Sequence, residues 1–283
     1  QVYANRLLEI LDDPRLIDAN IKHLGYWSKG LMNSLEGLSP KKKQDLVLKY
    51  KTAMTQFIAG STRSTHEKLV ALHPIVFQSK VGKDKEAKTV LSKSEVKLFK
   101  KIVSSAVAEI TDHKSHSHIM NAVTYLLKEA DMGDEARNIT LARMSQSKTP
   151  YYNMWFLSYL EASEGNHEKA IEWSKKAYDA AQGPATRIQW GVNYVLKLVE
   201  LQPDQKIKIQ KELFAFYQSN IKDKTAFFGR NQMRLNRLQK EINQWVKEKK
   251  GSIQKDQLKT ARQVCAKQDV QSDKSVKEKC AKH

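Results

Sequence analysis

Apolar residues return every three or four positions along almost the whole chain, as in Leu7, Leu8 and Leu11 or in Leu235, Leu238, Ile242 and Trp245. Sustained period-two alternation is absent. A 3.6-residue period places such residues on one face of a helix, whereas a half-buried strand needs alternation. The pattern therefore predicts an all-α chain. Helix starts are legible from local chemistry. Ser39-Pro40 opens a helix to about Ile58, Ser64-Thr65 with Glu67 opens one to about Phe77, and Ser92 with Glu95 has capping-box spacing before one to about Thr111. Arginines and apolar residues together predict a further helix from about Thr225 to Lys247.

The middle of the chain repeats itself. Tyr125 and Tyr159, Leu126 and Leu160, Asp134 and Glu168, Ala136 and Ala170, and Pro150 and Pro184 are each 34 residues apart. This is the period of tetratricopeptide repeats. The chemistry suits it: a small Ala lets antiparallel helices approach, a Gly-Asn turn joins them, and Pro opens the next helix without needing a donor. In the second copy Leu157, Gly165-Asn166, Ala170 and Ala177 fall at the positions such repeats use, although Ser158 and Glu161 replace the usual small and aromatic residues. No clean third copy follows, and the helices after Pro184 and Pro203 are expected to extend the stack as divergent units. The expected architecture is an array of antiparallel helix pairs, a tetratricopeptide-like right-handed solenoid with divergent N-terminal helices, curved without being a regular superhelix.

Lysine-rich residues 81–91 lack an apolar stripe and read as a loop and internal boundary. The expected organisation is an N-terminal helical segment (1–80), a basic loop (81–91), a helical array (92–250) and a basic tail (251–283). At 283 residues the chain can bury a substantial core. Its longest stretch free of Lys, Arg, Asp and Glu, Ser115 to Leu127, is 13 residues, short of the ~20 that span a bilayer as a helix. No transmembrane segment is expected.

Forty-nine basic and 31 acidic residues give a net charge of +18. Only 10 of the bases are Arg, whereas base-edge and bidentate phosphate recognition relies on the guanidinium fork. Sequence-specific nucleic-acid binding is not expected. The excess reads chiefly as a solvated, weakly steering surface, with an acidic protein or anionic membrane surface as the next reading and nucleic acid after it.

Three constellations are candidate sites. His113, His116 and His118 put three imidazoles within six residues; they read first as a polar inter-helix turn and second as a metal site, since their spacing does not share one helical face. Tyr151, Tyr152, Trp155, Phe156 and Tyr159 are divided between core packing and a partner-binding face. Arg230, Arg234 and Arg237 follow i, i+4, i+7 spacing on one stripe of the last helix, able to receive carboxylates or phosphates, or simply to face water. Arg187 joins Tyr151, Tyr152 and Trp155 as a candidate partner contact. No phosphate-binding glycine loop, His-Glu-x-x-His or Cys-x-x-Cys occurs, and no catalytic residue or cofactor is assigned. Cys265 and Cys280 sit 15 residues apart in a turn-rich tail. In an oxidising compartment they suit a hairpin disulfide, and in a reducing cytoplasm they would be two thiols.

Lys148-Thr149-Pro150-Tyr151-Tyr152-Asn153-Met154, with Ala170-Ile171-Glu172-Trp173, Ala177-Tyr178 and Gly183 through Gly191, resembles the helical C-terminal region of exported bacterial thioredoxin-family, thiol-disulfide interchange proteins. The resemblance is best over residues 118–247, and the tail cysteines are similar to a late Cys pair of that family. It implies a periplasmic or otherwise exported protein and a thioredoxin domain upstream carrying the redox motif, with Gln1 read as the start of a processed chain. The present region would then be non-catalytic and would present clients or partners, an acidic protein among them. The competing expectation is a tetratricopeptide-like adaptor with no redox role.

Overall fold

A computed structural model describes residues 2–33, 37–78, 89–111, 113–220 and 224–248. Among these the chain is all-α, with thirteen helices and no strand. They are α1 (Val2–Asp12), α2 (Pro14–Tyr26), α3 (Ser28–Asn33), α4 (Pro40–Ala59), α5 (Thr65–Gln78), α6 (Lys93–Ala108), α7 (His113–Glu129), α8 (Gly133–Met144), α9 (Pro150–Ser163), α10 (His167–Ala180), α11 (Pro184–Leu201), α12 (Lys206–Asn220) and α13 (Gly229–Glu248). None is long and apolar enough to cross a membrane.

The capping signals hold. Ser39 caps α4, with Pro40 in its first turn. Ser92 and Glu95 form a reciprocal capping box on α6, satisfying two backbone donors that a helix start otherwise leaves open. The last helix starts later than its apolar period suggested. A 3-10 turn at Lys224–Phe227 comes first, and Gly229 at φ 51° then opens α13.

Contacts divide the chain into two compact units, Gln1–Lys148 and Thr149–His283. The division therefore does not fall at the basic loop that the lysine run suggested, most of which (79–88) lies outside the described residues. The reason is α5. Its Leu69, Val70, Ala71, Leu72, Ile75, Val76 and Phe77 are all buried, so the helix is apolar nearly all round and needs neighbours on every side. It packs on α2 and α4 before it and on α6 and α7 after it, which ties the two sides of that loop together. Pro74 lies inside α5 and removes the helical donor to the Val70 carbonyl. Gly25 of α2 seats against that residue: a Cβ there would come within 2.5 Å of the Val70 carbonyl oxygen.

The 34-residue copies fall one in each unit, as the packed pairs α7–α8 and α9–α10. Their turns are built alike. Met132 N–H donates to Leu127 O at 2.9 Å, and Asn166 N–H donates to Glu161 O at 2.9 Å, the same bond 34 residues on. Asp131 (φ 57°) and Gly165 (φ 79°) occupy the left-handed position at the same place. Burial repeats too: Leu126 and Leu160, Leu127 and Glu161, Ala136 and Ala170, and Thr140 and Ser174 are all buried, while Tyr125 and Tyr159 are about equally exposed at 40% and 42%.

In the second unit α10 packs between α9 and α11, and α11 also carries α12 and α13. Its core joins Ile171, Ala177, Tyr178, Ile188, Val195, Leu198, Phe216, Leu235, Leu238, Ile242 and Trp245. Gly191 is the close-approach point, because a Cβ there would lie 2.4 Å from the buried Phe216 ring. Asn220 locks the same region, its side-chain amide donating to the Tyr178 hydroxyl and to the Phe216 carbonyl, both at 2.7 Å.

Candidate functional site

Five aromatics within nine residues of α9 cannot all face the core. Buried Asn153, Leu157, Ser158 and Leu160 mark its inward face. Tyr159 is exposed, while Tyr151, Tyr152 and Trp155 gather on buried Trp190 of α11, Tyr151 and Trp155 at the edge of the second unit's core. Their ring centroids lie 5.6, 5.2 and 5.8 Å from that of Trp190, the Tyr152 pair edge-on, the arrangement aromatic quadrupoles favour. Tyr152 keeps 47% of its surface open to solvent. Lys197 extends the cluster, its ammonium 5.5 Å from the Trp155 ring while paired with Glu200 at 2.7 Å. The Trp190 indole N–H is buried without an acceptor among the described residues.

Cations border this cluster. Arg234 of α13, half-buried, donates to the Gln189 side-chain oxygen at 2.6 Å, one residue from Trp190. Burial lowers the Arg234 pKa from its ordinary value, the neighbouring Arg230 charge adds to this, and Tyr152 acts in the opposite sense. Burial likewise pushes the Tyr151 hydroxyl up, with Tyr152 contributing second. Arg230 stands one helical turn before Arg234 on α13, and Gln189 ties Arg234 beside the ring cluster. Neither arginine forms an ion pair with a described residue.

The remaining arginines go elsewhere. Arg187 lies 4.9 Å over the Tyr178 ring and donates to Ala181 O at 3.3 Å, closing the end of α10, so it is not grouped with the aromatic candidates. Arg237 shares the α13 stripe but lines a separate cavity with Glu200 and Glu241. His113 to His118 are the first turns of α7 and not an inter-helix turn, and their side chains lie outside the described set. Among the described residues no three His, Cys, Asp or Glu side chains are grouped as metal ligands. Cys265 and Cys280 also lie outside the described residues.

Sequence reasoning missed Trp190, Gln189 and Lys197 as members of the site. Periodicity marks the inward face of α11 but not that its Trp190 would meet α9, its neighbour but one. Compared with known proteins, the sequence matches no family model and no curated protein.

Proposed function

We propose that the second unit is a non-catalytic protein-interaction module whose Tyr151–Tyr152–Trp155–Trp190 cluster and Arg230–Arg234 pair take an acidic partner segment. The carrying observation is the arginine pair: two arginines one helical turn apart on α13, the half-buried one tied to Gln189 beside a partly open aromatic cluster, and both unpaired with any described carboxylate. Like charges held together weaken their own solvation and repel one another, a cost that a bound carboxylate relieves with charge-assisted hydrogen bonds. Tyr, Trp and Arg are also the side chains that most often anchor interfaces. Repeated turns and burial in α7–α8 and in α9–α10, each pair within its own unit, support tetratricopeptide-like helix pairs, one of which carries this face. The cell-envelope, thioredoxin-family setting belongs to the same proposal and is supported by the residues of the sequence resemblance, as is the Cys265–Cys280 disulfide.

The test is fluorescence titration of the full chain, read through Trp155 and Trp190, with 15-residue peptides rich in Glu and one aromatic residue, at ~150 mM salt where free surface charges are largely screened. Arg230→Gln with Arg234→Gln should weaken binding at least about tenfold, or ~1.4 kcal/mol. Lys240→Gln with Lys247→Gln removes the same charge from the same helix and should change it little. Equal losses in the two variants would reduce the effect to net charge and refute the site.

A further inference from the structure

On α13, residues 230, 234, 237, 241, 244 and 248 follow spacings of four, three, four, three and four, forming one column beside the buried Asn231, Leu235, Leu238, Ile242 and Trp245. The column changes sign midway. Arg230, Arg234 and Arg237 occupy its first half, and Glu241, Gln244 and Glu248 its second. Helix α11 and the turn after it run beside it: Gln189 of α11 holds Arg234 at the first half, and Pro203 O, just past the helix, accepts from the Trp245 indole at 2.9 Å at the second. Between the helices at that second half lies a cavity of about 470 Å³, with Leu196, Val199 and Trp245 as apolar wall and Arg237, Glu200 and Glu241 among its polar lining.

The charges of this column are not spent on one another. Arg237 and Glu241 are one turn apart and form no ion pair, in keeping with the weaker orientation, base before acid, of an i, i+4 pair. Glu200 is held by Lys197, and Glu248 accepts from Gln244 at 2.9 Å. Half-buried Glu241 has no hydrogen-bond or ion-pair partner among the described residues. In a chain of net charge +18, a surface meant only for polyanions has no use for carboxylates at one end. Complementary charge order, by contrast, fixes register and rejects wrong partners.

We propose that the α11–α13 groove takes a partner helix of segregated charge, its acidic end over Arg230 and Arg234 and a basic side chain in the cavity against Glu241 and Glu248. This rests on the acidic-partner reading above and sharpens it. A column at 3.5-residue spacing beside a buried stripe is how one helix presents charges to another. The stem of a Lys or Arg would lie along Leu196, Val199 and Trp245, leaving its head at the carboxylates. From Arg234 to Trp245 is eleven residues, or about 16 Å of helix, so the partner's acids and base should be about three turns apart.

The experiment uses the full chain and three labelled 18-residue helical peptides, read by fluorescence anisotropy at ~150 mM salt. One carries four Glu in its first half and four Lys in its second, the next alternates the same eight residues, and the last carries Glu only. The segregated peptide should bind at least about tenfold more tightly than the alternating one. Glu241→Lys with Glu248→Lys should erase that difference and strengthen binding of the all-Glu peptide, while Glu241→Gln with Glu248→Gln should reduce the difference without adding charge. Equal binding of the first two peptides, or a preference unmoved by both variants, overturns the segregated register. If in either case the all-Glu peptide still binds through Arg230 and Arg234, the acidic-partner reading stands without it. If no peptide binds, both fall.

Discussion

Gly191→Ala sets two effects of known size against each other. In an open helix the change is favourable, because Gly is worth up to about 1 kcal/mol less than Ala in a helix interior. Here the added methyl would stand 2.4 and 2.6 Å from Cδ2 and Cε2 of Phe216 and 2.9 Å from Cε2 of Tyr178, where ordinary contact begins near 3.4 Å. Phe216 is fully buried, and Tyr178 is tied through its hydroxyl to Asn220, which also holds the Phe216 carbonyl. Neither ring can swing into solvent, so α11 and α12 must separate by most of an ångström. Overpacking costs roughly 1 to 3 kcal/mol, and with neither ring able to move aside the upper half of that range applies, which leaves a net loss of about 1 to 2 kcal/mol after a propensity gain of about 1. For the unit Thr149–His283 this lowers the melting midpoint by roughly 4 to 10 °C. Thermal and urea unfolding followed by Trp fluorescence, which reports the second unit through Trp155, Trp173, Trp190 and Trp245, measures it. Gly30→Ala in α3, where nothing lies within 4 Å of the added methyl, should be neutral or slightly stabilising. A midpoint for Gly191→Ala that is unchanged or raised would refute the close approach of α11 to Phe216.

Burial holds the His73 imidazole down at about 4, against Glu129, which acts to raise it. The unfolded chain takes up this proton near pH 6.5 and the folded one only near pH 4, so the stability it contributes is full above 6.5 and lost as pH falls across that window, by up to about 3 kcal/mol. His73→Phe, with Phe77 and Tyr125 already stacked on the ring, should flatten the stability–pH slope between pH 4 and 6.5; an unchanged slope would place the titration elsewhere. Ala170→Leu should lower the urea midpoint by roughly 1 to 3 kcal/mol of stability, because the site is fully buried in the α10 pairing, and an unchanged midpoint would reject the alignment with Ala136. Non-reduced peptide mapping of protein made in an oxidising compartment should recover Cys265 joined to Cys280, and two freely alkylated thiols would count against both the disulfide and an exported location.

What the sequence disclosed is what local chemistry decides. Ser39 and the Ser92–Glu95 box name helix starts because a cap satisfies donors within its own turn. The 34-residue period was legible in letters such as Ala136 and Ala170, yet its most exact correspondence was hidden in unlike letters. Asp131 and Gly165 share a left-handed turn, and Leu127 and Glu161 share a buried site, the latter carboxylate accepting from Asn166 at 2.9 Å. The unit boundary was not legible, because it depends on how many neighbours α5 needs, a property of packing around its whole circumference. The candidate site was half legible for a related reason. Spacing put Arg230, Arg234 and Arg237 on one stripe, but only packing decides that Arg234 meets Gln189 while Arg237 faces a cavity.

The charge excess and the proposed binding face are separable. Several lysines are engaged with acids of the fold: Lys100 with Glu135, Lys175 with Asp179, Lys176 with Glu172 and Lys197 with Glu200. The first three are exposed pairs, each worth about 0 to 1 kcal/mol and weakened by salt, while Lys197 is buried. The arginines of α13 have no such described partners, and Arg234 is oriented by Gln189 rather than free to sweep solvent. A preorganised guanidinium loses less freedom on binding than a lysine stem, so under the proposed function affinity should concentrate on two or three arginines even though they are a small part of the total charge. It follows that binding through this face should carry a shallow salt dependence set by those few charges, while adsorption driven by the whole field of +18 would carry a steep one.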